Sequence, residues 1–160
     1  MSENNKYLCP DCNQQNINFN WCQNCNSKQL QKDFDKWTSG NEFIDNFIQD
    51  TQLKARNYRE VIEWIPYNRF RNIQYLTKGE FSTIYKAIWL DGFIENWDKE
   101  EMQWRRNSFM LSLDEEDYNI AKQENVKLPL NQNEVCGDYV VLKSLNNSSN
   151  INEDFLIKVL

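Results

Sequence analysis

The chain has 160 residues, of which 40% are hydrophobic and 26% are charged, and its formal net charge is −6. This length and composition predict a compact domain with a small appendage and exclude a chain that is disordered throughout. The acidic balance disfavours binding to nucleic acids or to anionic membrane surfaces, because both need clustered Lys and Arg.

Two features that the sequence lacks exclude further classes of function and location. The sequence contains no histidine, which excludes Ser-His and Cys-His nucleophile pairs and histidine metal ligands. It has no run of about 18 apolar residues, and its first residues lack the basic and apolar pattern of a secretory signal. We therefore expect a soluble, cytoplasmic protein without a membrane partner.

Residues 7–26 hold four of the five cysteines, in the pairs Cys9/Cys12 and Cys22/Cys25. The segment has too few apolar residues to fold without another source of stability. Two tight turns with two thiolates each suit tetrahedral zinc, and four sulfur ligands leave no open position, so that the zinc is expected to be structural. This module resembles a short zinc ribbon. The alternatives are two chance CxxC pairs or a redox site.

Three further positions follow from the cysteine pattern. Asn13 and Asn26 each come after the second cysteine of a pair, where we expect a left-handed backbone that asparagine tolerates. Cys136 stands alone, and we expect it to be a small buried hydrophobic residue.

Residues 27–58 are predicted to form a helical linker. The first helix is expected to start at Ser27, and the second begins with a capping-box pattern from Ser39 to Glu42. Apolar residues at helical spacing follow in both segments, namely Leu30, Phe34 and Trp37 in the first and Phe43, Ile44, Phe47 and Ile48 in the second.

From Val61 the pattern becomes that of β-strands. Pro66 ends the first predicted strand, and Asp91-Gly92 indicates a two-residue hairpin. The predicted strands are 61–65, 70–76, 81–90 and 139–143, with a turn at 77–80. Residues 95–136 read as an insertion with one helix, which starts with a capping box from Ser112 to Glu115. A last helix is predicted to open at 152–154.

The segment from Leu76 to Ala87, LTKGEFSTIYKA, resembles the glycine-rich phosphate loop of protein kinases. Residues 140–143, VVLK, resemble the following strand, whose lysine reaches the α- and β-phosphates. The resemblance covers residues 61–160. It is strongest to a large group of kinase-like proteins of arbuscular mycorrhizal fungi, in which a CxxC pair, KWTSGN and EWIPYNRF precede the loop. It implies an α+β fold with the antiparallel twisted sheet of a kinase N-lobe.

The resemblance implies an ATP site. Gly79 matches the glycine that lets the backbone approach a phosphate, Ile84 the residue over the adenine and Lys143 the phosphate-binding lysine. Leu76 opens the motif, and Phe81 matches the aromatic residue at the tip of the loop. Each match has a plain alternative: Gly79 as an ordinary turn glycine, Ile84 as a core residue and Lys143 as a solvated charge.

Several positions depart from the kinase pattern. Thr77 and Ser82 replace two loop glycines, so a stiffer loop and weak ATP affinity are expected. Val141 replaces the alanine that lines the adenine pocket. Lys158 stands where a glutamate should pair with the lysine, although Glu153 or Asp154 can replace that glutamate from a neighbouring turn.

No stretch of the sequence matches the catalytic HRD loop or the magnesium-binding DFG motif. We therefore expect an incomplete or inactive serine/threonine/tyrosine kinase fragment, a pseudokinase that binds ATP and zinc but does not transfer phosphate alone. The alternative is a zinc-containing protein–protein interaction module without nucleotide binding, presenting an exposed apolar face to a protein partner. A zinc-dependent nucleic-acid binder is disfavoured by the acidic charge.

Overall fold

The computed structural model describes residues 8–15, 21–106 and 111–146, which form a mixed α+β protein. The described helices are α1 (Gln23–Gln31), α2 (Glu42–Lys54) and α3 (Glu115–Ile120). The strands are β1 (Phe70–Lys78), β2 (Ser82–Trp89), β3 (Ile94–Asp98), β4 (Gln103–Arg106), β5 (Leu111–Ser112) and β6 (Cys136–Leu145). None of the described helices is long and apolar enough to cross a membrane.

The chain divides into two compact units. Unit 1 contains the described residues of 8–64 together with 94–105, and unit 2 contains 65–93, 106 and 111–146. The helices predicted as a linker therefore lie in the same unit as the paired cysteines. Most of the β3–β4 ribbon, from the predicted insertion, also belongs to unit 1.

A small apolar core holds unit 1 together. Trp21 is 1% exposed, and its indole N–H donates a hydrogen bond to the Ala55 carbonyl oxygen at 3.1 Å. The buried residues of this core are Trp21, Leu30, Ala55 and Ile94, and Phe34, Tyr58, Val61 and Trp104 pack around them. The core thus combines side chains from α1, from the end of α2 and from the ribbon.

The helices of unit 1 start at other residues than predicted. Helix α1 begins at Gln23, four residues before the predicted Ser27. Asn26 therefore has a helical backbone, whereas Asn13 has the expected positive φ of 55°. Helix α2 is capped by Asn41, whose side chain accepts hydrogen bonds from two backbone N–H groups of the first turn. The predicted cap, Ser39, instead donates its hydroxyl to Asp45.

The predicted strand at 61–65 is wrong, because the structure has no regular element between the 3-10 turns Tyr58–Glu60 and Tyr67–Arg69. Two hydrogen bonds between side chains and backbone groups hold this segment. Gln52 donates from Nε2 to the Ile62 carbonyl at 2.7 Å, and the Glu63 carboxylate accepts the Ile94 N–H at 3.1 Å. These side-chain hydrogen bonds, and not a strand ladder, join the segment to α2 and β3.

Unit 2 is built on an antiparallel sheet with the strand order β1-β2-β6-β5. The strands predicted at 70–76, 81–90 and 139–143 are confirmed as β1, β2 and β6. Their inner face buries the second apolar core, which consists of Phe70, Ile73, Ala87 and Trp89. Gly137 in β6 is needed for packing, because a Cβ atom there would lie 2.4 Å from the Ile88 Cγ2 atom.

The predicted hairpin at Asp91-Gly92 is a turn that joins strands of different sheets. Gly92 has a positive φ of 65°, as a tight turn requires. Strand β3 pairs with β4, however, and not with β2. The Asp91 carboxylate accepts two hydrogen bonds from the Arg69 guanidinium, at 2.8 and 2.5 Å, and so fixes the end of β2 against the start of β1.

A bulge at Asn72 in β1 forms hydrogen bonds with the second part of the predicted insertion, at Asp117 and Leu130. Asn72 is 3% exposed, and its backbone has a positive φ of 48°. Its side chain donates to the Asp117 carbonyl at 2.7 Å and accepts from the Leu130 N–H at 3.0 Å. The capping box of α3 uses Asp114 and Asp117 instead of the predicted Ser112 and Glu115. The helix predicted from 152 lies outside the described residues.

Candidate functional site

The four N-terminal cysteines lie together, as the spacing predicts. The Sγ atoms of Cys9, Cys12, Cys22 and Cys25 are all within 4.8 Å of one another. The sulfur separations are 3.8 Å for Cys9–Cys25 and 3.5 Å for Cys12–Cys22. Metal–sulfur bonds of about 2.3 Å give a tetrahedron with edges of roughly 3.8 Å. The cluster can therefore hold a metal ion such as zinc without large rearrangement.

Local backbone structure brings the two pairs to this geometry. The Asn13 N–H donates to the Cys9 carbonyl at 2.9 Å, and its left-handed backbone closes the first turn. Leu8 and Gln15 form an antiparallel bridge across that turn. The second pair uses the start of α1, where the Asn26 N–H donates to the Cys22 carbonyl. One turn and one helix start thus supply two sulfurs each.

The free thiols differ in acidity. Burial raises the pKa of Cys22 and of Cys25. A hydrogen bond with the Asn24 side chain lowers the pKa of Cys12 to about 6. Because thiolates are the metal ligands, a bound cation must displace the protons that the buried thiols hold at neutral pH.

One cation of unit 1 lies beside the cluster. Lys99, in the β3–β4 connection, forms an ion pair with Asp11 between the first two cysteines. This pair, and then the charges of Cys9 and Cys25, raise the pKa of Lys99. A zinc ion with four thiolates has a net charge of about −2, which a neighbouring ammonium group offsets. Lys99 is distant from the cysteines along the chain, so that the cysteine pattern gives no indication of it.

Trp21 connects the cluster to the core of unit 1. It precedes Cys22, is fully buried and stacks on Trp104 with 6.3 Å between the ring centroids. Trp97 meets Trp104 edge to face at 5.4 Å. One peptide bond therefore joins the candidate metal ligand Cys22 to Trp21, the largest buried side chain of this core.

In unit 2 the register of β2 and β6 brings two of the predicted ATP-site residues together. Ile84 lies directly opposite Lys143, Lys86 opposite Val141, and Ile88 opposite Tyr139. Since side chains alternate along a strand, these six share one face of the sheet, which we call the lysine face. The opposite face packs Ala87, Val140 and Leu142 against the core.

Gly79 lies in the turn between β1 and β2, and its N–H donates to the Ser82 carbonyl at 2.8 Å. A Cβ atom at Gly79 would make only an ordinary contact, 3.7 Å from the Ser82 oxygen. Packing within the chain therefore does not demand glycine here. Asn146, after β6, fastens this turn through hydrogen bonds to the Phe81 and Glu80 carbonyls at 2.9 and 3.0 Å.

The other predicted positions are largely exposed. Phe81 is 73% exposed at the tip of the turn, Leu76 is 48% exposed, and the Lys143 side chain is exposed on the lysine face. Lys143 has no ion-pair partner within residues 8–15, 21–106 and 111–146. Cys136 is exposed, so the prediction of a buried thiol is wrong; it lies on the short ladder with β5 at the edge of the sheet.

A pocket that the sequence did not predict lies beside the lysine face. It has a volume of about 320 Å³ and lies between the sheet and α3, which supplies Asp117 and Ile120. The only sequence signal was Asp117 at the third position of an acidic first helical turn. Comparisons with known proteins return no match: no family model, curated protein or solved structure is similar to this chain.

Proposed function

We propose that unit 2 is an ATP-binding lobe of the protein-kinase type and that unit 1 is a zinc-stabilised module attached to it. The observation that carries the proposal is the pairing of Ile84 with Lys143 on one face of the sheet, next to the turn that holds Gly79. In the kinase arrangement the residue at Ile84 lies over the adenine and the lysine at Lys143 binds the phosphates. The glycine at Gly79 lets the loop backbone approach a phosphate.

Charge and connectivity support the assignment. Strands β1, β2 and β6 are antiparallel neighbours in the order that the resemblance requires. Lys143 is an exposed ammonium group without an ion-pair partner among the described residues, so that it is available for an anion. Gly79 has no packing role that demands glycine, which favours close approach of a ligand as its role.

The same geometry favours weak affinity. Ser82 replaces a loop glycine and is 8% exposed, and Asn146 holds the carbonyls of Glu80 and Phe81. A turn held in this way is less able to close over a phosphate. The 160 residues also contain neither an HRD nor a DFG motif. Since phosphoryl transfer needs a positioned base and bound magnesium, we expect these residues alone to bind ATP without transferring phosphate.

Calorimetry with Mg-ATP tests the nucleotide site. We expect binding at high micromolar to millimolar ATP that weakens about tenfold or more in Lys143→Ala, because one desolvated charge contact is worth over about 1.4 kcal/mol. Lys122→Ala, an exposed lysine after α3, is the matched control and should bind like the unmodified chain. A radiolabelled-ATP assay should show no transfer. Equal binding by both variants contradicts the proposal.

Metal analysis tests the zinc centre. We expect about one zinc ion per chain after purification under reducing conditions, because four sulfurs at tetrahedral separations form a closed structural site. Cys22→Ser should lose the metal, whereas Cys136→Ser should retain it, since Cys136 is exposed and outside the cluster. Metal-free protein, or equal zinc content in both variants, argues against the centre.

A second candidate function is a zinc-containing protein–protein interaction module. The exposed apolar side chains of the lysine face and its turn favour it, namely Phe81, Val141 and Tyr139 at 73%, 67% and 55% exposure. The same calorimetry separates the candidates, because an interaction module predicts no heat of binding at millimolar ATP.

A further inference from the structure

The pocket beside the lysine face combines apolar walls with one buried charge. Its volume is about 320 Å³, which is within the usual range of small-ligand pockets, about 300–1,000 Å³. The lining includes Lys86, Ile88, Tyr139 and Val141 from the sheet and Asp117 and Ile120 from α3. A pocket of this size and mixed lining can hold a small heterocyclic ring that has apolar faces and a few polar groups.

Asp117 is the unusual group in this lining. It is 4% exposed and accepts hydrogen bonds from the Tyr139 hydroxyl at 2.8 and 3.0 Å and from the Asp114 N–H at 3.0 Å. No Lys or Arg of the described ranges forms an ion pair with it. A carboxylate can accept about four hydrogen bonds, so that Asp117 retains capacity for a donor from a ligand. A buried charge without a cation gains from such a donor.

The lysine face continues from this pocket toward the turn at Gly79. The pairs Ile88/Tyr139, Lys86/Val141 and Ile84/Lys143 follow one another along the strands. Four residues of strand separate the first pair from the last, about 13 Å at 3.3 Å per residue. Lys86, like Lys143, lacks an ion-pair partner in the described part of the chain. An apolar pocket is therefore followed by two available cations and then by the turn.

We propose that this pocket holds the ring of an aminopurine nucleotide, with an amino group donating to Asp117 and the phosphates extending past Lys86 to Lys143. This inference rests on the proposed function and adds the specificity of the base. It places the base beyond Ile84, toward Ile88 and Tyr139, so that Ile84 lies beside the phosphates and not over the adenine as the kinase match implies. The acidic helix α3 belongs to the insertion, so that the insertion supplies the base-recognition wall. Lys86 is then a phosphate-binding residue that the loop motif did not indicate.

Two ligand comparisons and two valine variants test the pocket. Adenosine and ATP should bind the unmodified chain, and purine riboside triphosphate, which lacks the amino group, should bind about tenfold more weakly than ATP. Val141→Phe should weaken adenosine and ATP at least tenfold by filling the pocket. Val135→Phe is the matched control, because Val135 is 59% exposed, against 67% for Val141, and lies outside the lining. Thermal melting should show that both variants fold.

The outcomes separate this inference from the nucleotide function itself. ATP binding that needs Lys143 but is unchanged by Val141→Phe, or is equal for the analogue without the amino group, overturns the pocket and leaves the nucleotide function standing. Adenosine binding that is lost in Val141→Phe, combined with ATP binding independent of Lys143, supports the pocket as the base site but contradicts both the phosphate path to Lys143 and the proposed function. No binding of adenosine or ATP overturns both. Asp117→Asn adds a test of recognition, because it should reduce the preference for the amino group.

Discussion

The two units of this chain differ in the groups that can stabilise them. The described part of unit 1 has an apolar core around Trp21 and four thiols whose separations suit a metal ion such as zinc. Unit 2 has a four-stranded sheet, a bulge fastened by Asn72 and a nearly buried ion pair between Arg71 and Glu134. We therefore expect the stability of unit 1 to depend on a bound metal, whereas strand pairing stabilises unit 2 without one.

The largest effect expected from this comparison is loss of unit 1 on zinc removal. Structural zinc binds with an apparent free energy of about 10–16 kcal/mol, which matches the whole stability of a domain, about 5–15 kcal/mol. A chelator, or Cys22→Ser, should therefore abolish amide-exchange protection in α2 and change tryptophan fluorescence, because Trp21 is next to a ligand. Strands β2 and β6 should remain protected.

Cys136→Ser controls for the loss of a thiol as such and should leave both units protected. If α2 stays protected in metal-free protein, the apolar core of unit 1 is sufficient and the contrast between the units is wrong. If β2 and β6 lose protection as well, their stability also depends on the metal.

The next largest effect is expected in unit 2 at Asn72. Asn72→Ala leaves the Leu130 N–H and the Asp117 carbonyl without this partner, and it forces alanine into a positive φ. Together these changes should lower the free energy of unfolding by about 2–4 kcal/mol. Amide exchange in β1 as a function of urea measures the loss. Asn72→Gly should cost about 1 kcal/mol less, because glycine accepts that backbone. Asn133→Ala, an exposed asparagine, should have almost no effect.

A smaller effect is expected at the cap of α2 in unit 1. Asn41→Ala removes hydrogen bonds of 3.0 and 3.2 Å to the Phe43 and Ile44 N–H groups and should cost about 1 kcal/mol. Asn46→Ala, at an exposed position inside the same helix, should stabilise by a few tenths of a kcal/mol, because alanine has the higher helix propensity. Urea denaturation of the zinc-loaded protein measures both. The same sign for both variants contradicts the assignment of the cap.

The smallest effect concerns the pH dependence of unit 2. The hydrogen-bonded ion pair with Arg69 lowers the pKa of Asp91 below its ordinary value. A carboxyl with a lowered folded pKa stabilises the fold above its unfolded pKa, about 3.9, and this contribution is lost as the pH falls through the folded pKa. Between pH 5 and pH 3 the urea midpoint of the unmodified chain should therefore fall more than that of Asp91→Asn. Equal slopes contradict this prediction.

Local signals in the sequence located many elements but shifted their ends. Stretches with the residue types of β-strands, bounded by turn residues, predicted β1, β2 and β6, because such signals depend only on neighbouring residues. The caps of α2 and α3 lie two residues beyond the predicted ones, since both segments offer several cap-forming side chains in a row. The apolar run at 61–65 looked like a strand, but no partner strand meets it in the described structure.

For the candidate sites, spacing was sufficient where the ligands are close along the chain. Cys9, Cys12, Cys22 and Cys25 were predicted as one group and lie as one group. Lys99 and Asp117 were missed, because each reaches its site from a distant segment. Cys136 was expected to be buried from its residue type, but its place at a short edge ladder leaves it exposed.

The sequence by itself determined the four-thiol cluster, the antiparallel strands and the turn at Gly79, since each follows from chemistry within a few residues or a short spacing. Only the tertiary structure decided that most of the β3–β4 ribbon belongs to unit 1, that Ile84 lies opposite Lys143, and that α3 closes a pocket over the lysine face. The physical reason is that register and packing depend on which distant surfaces bury one another, and residue order does not encode that choice locally.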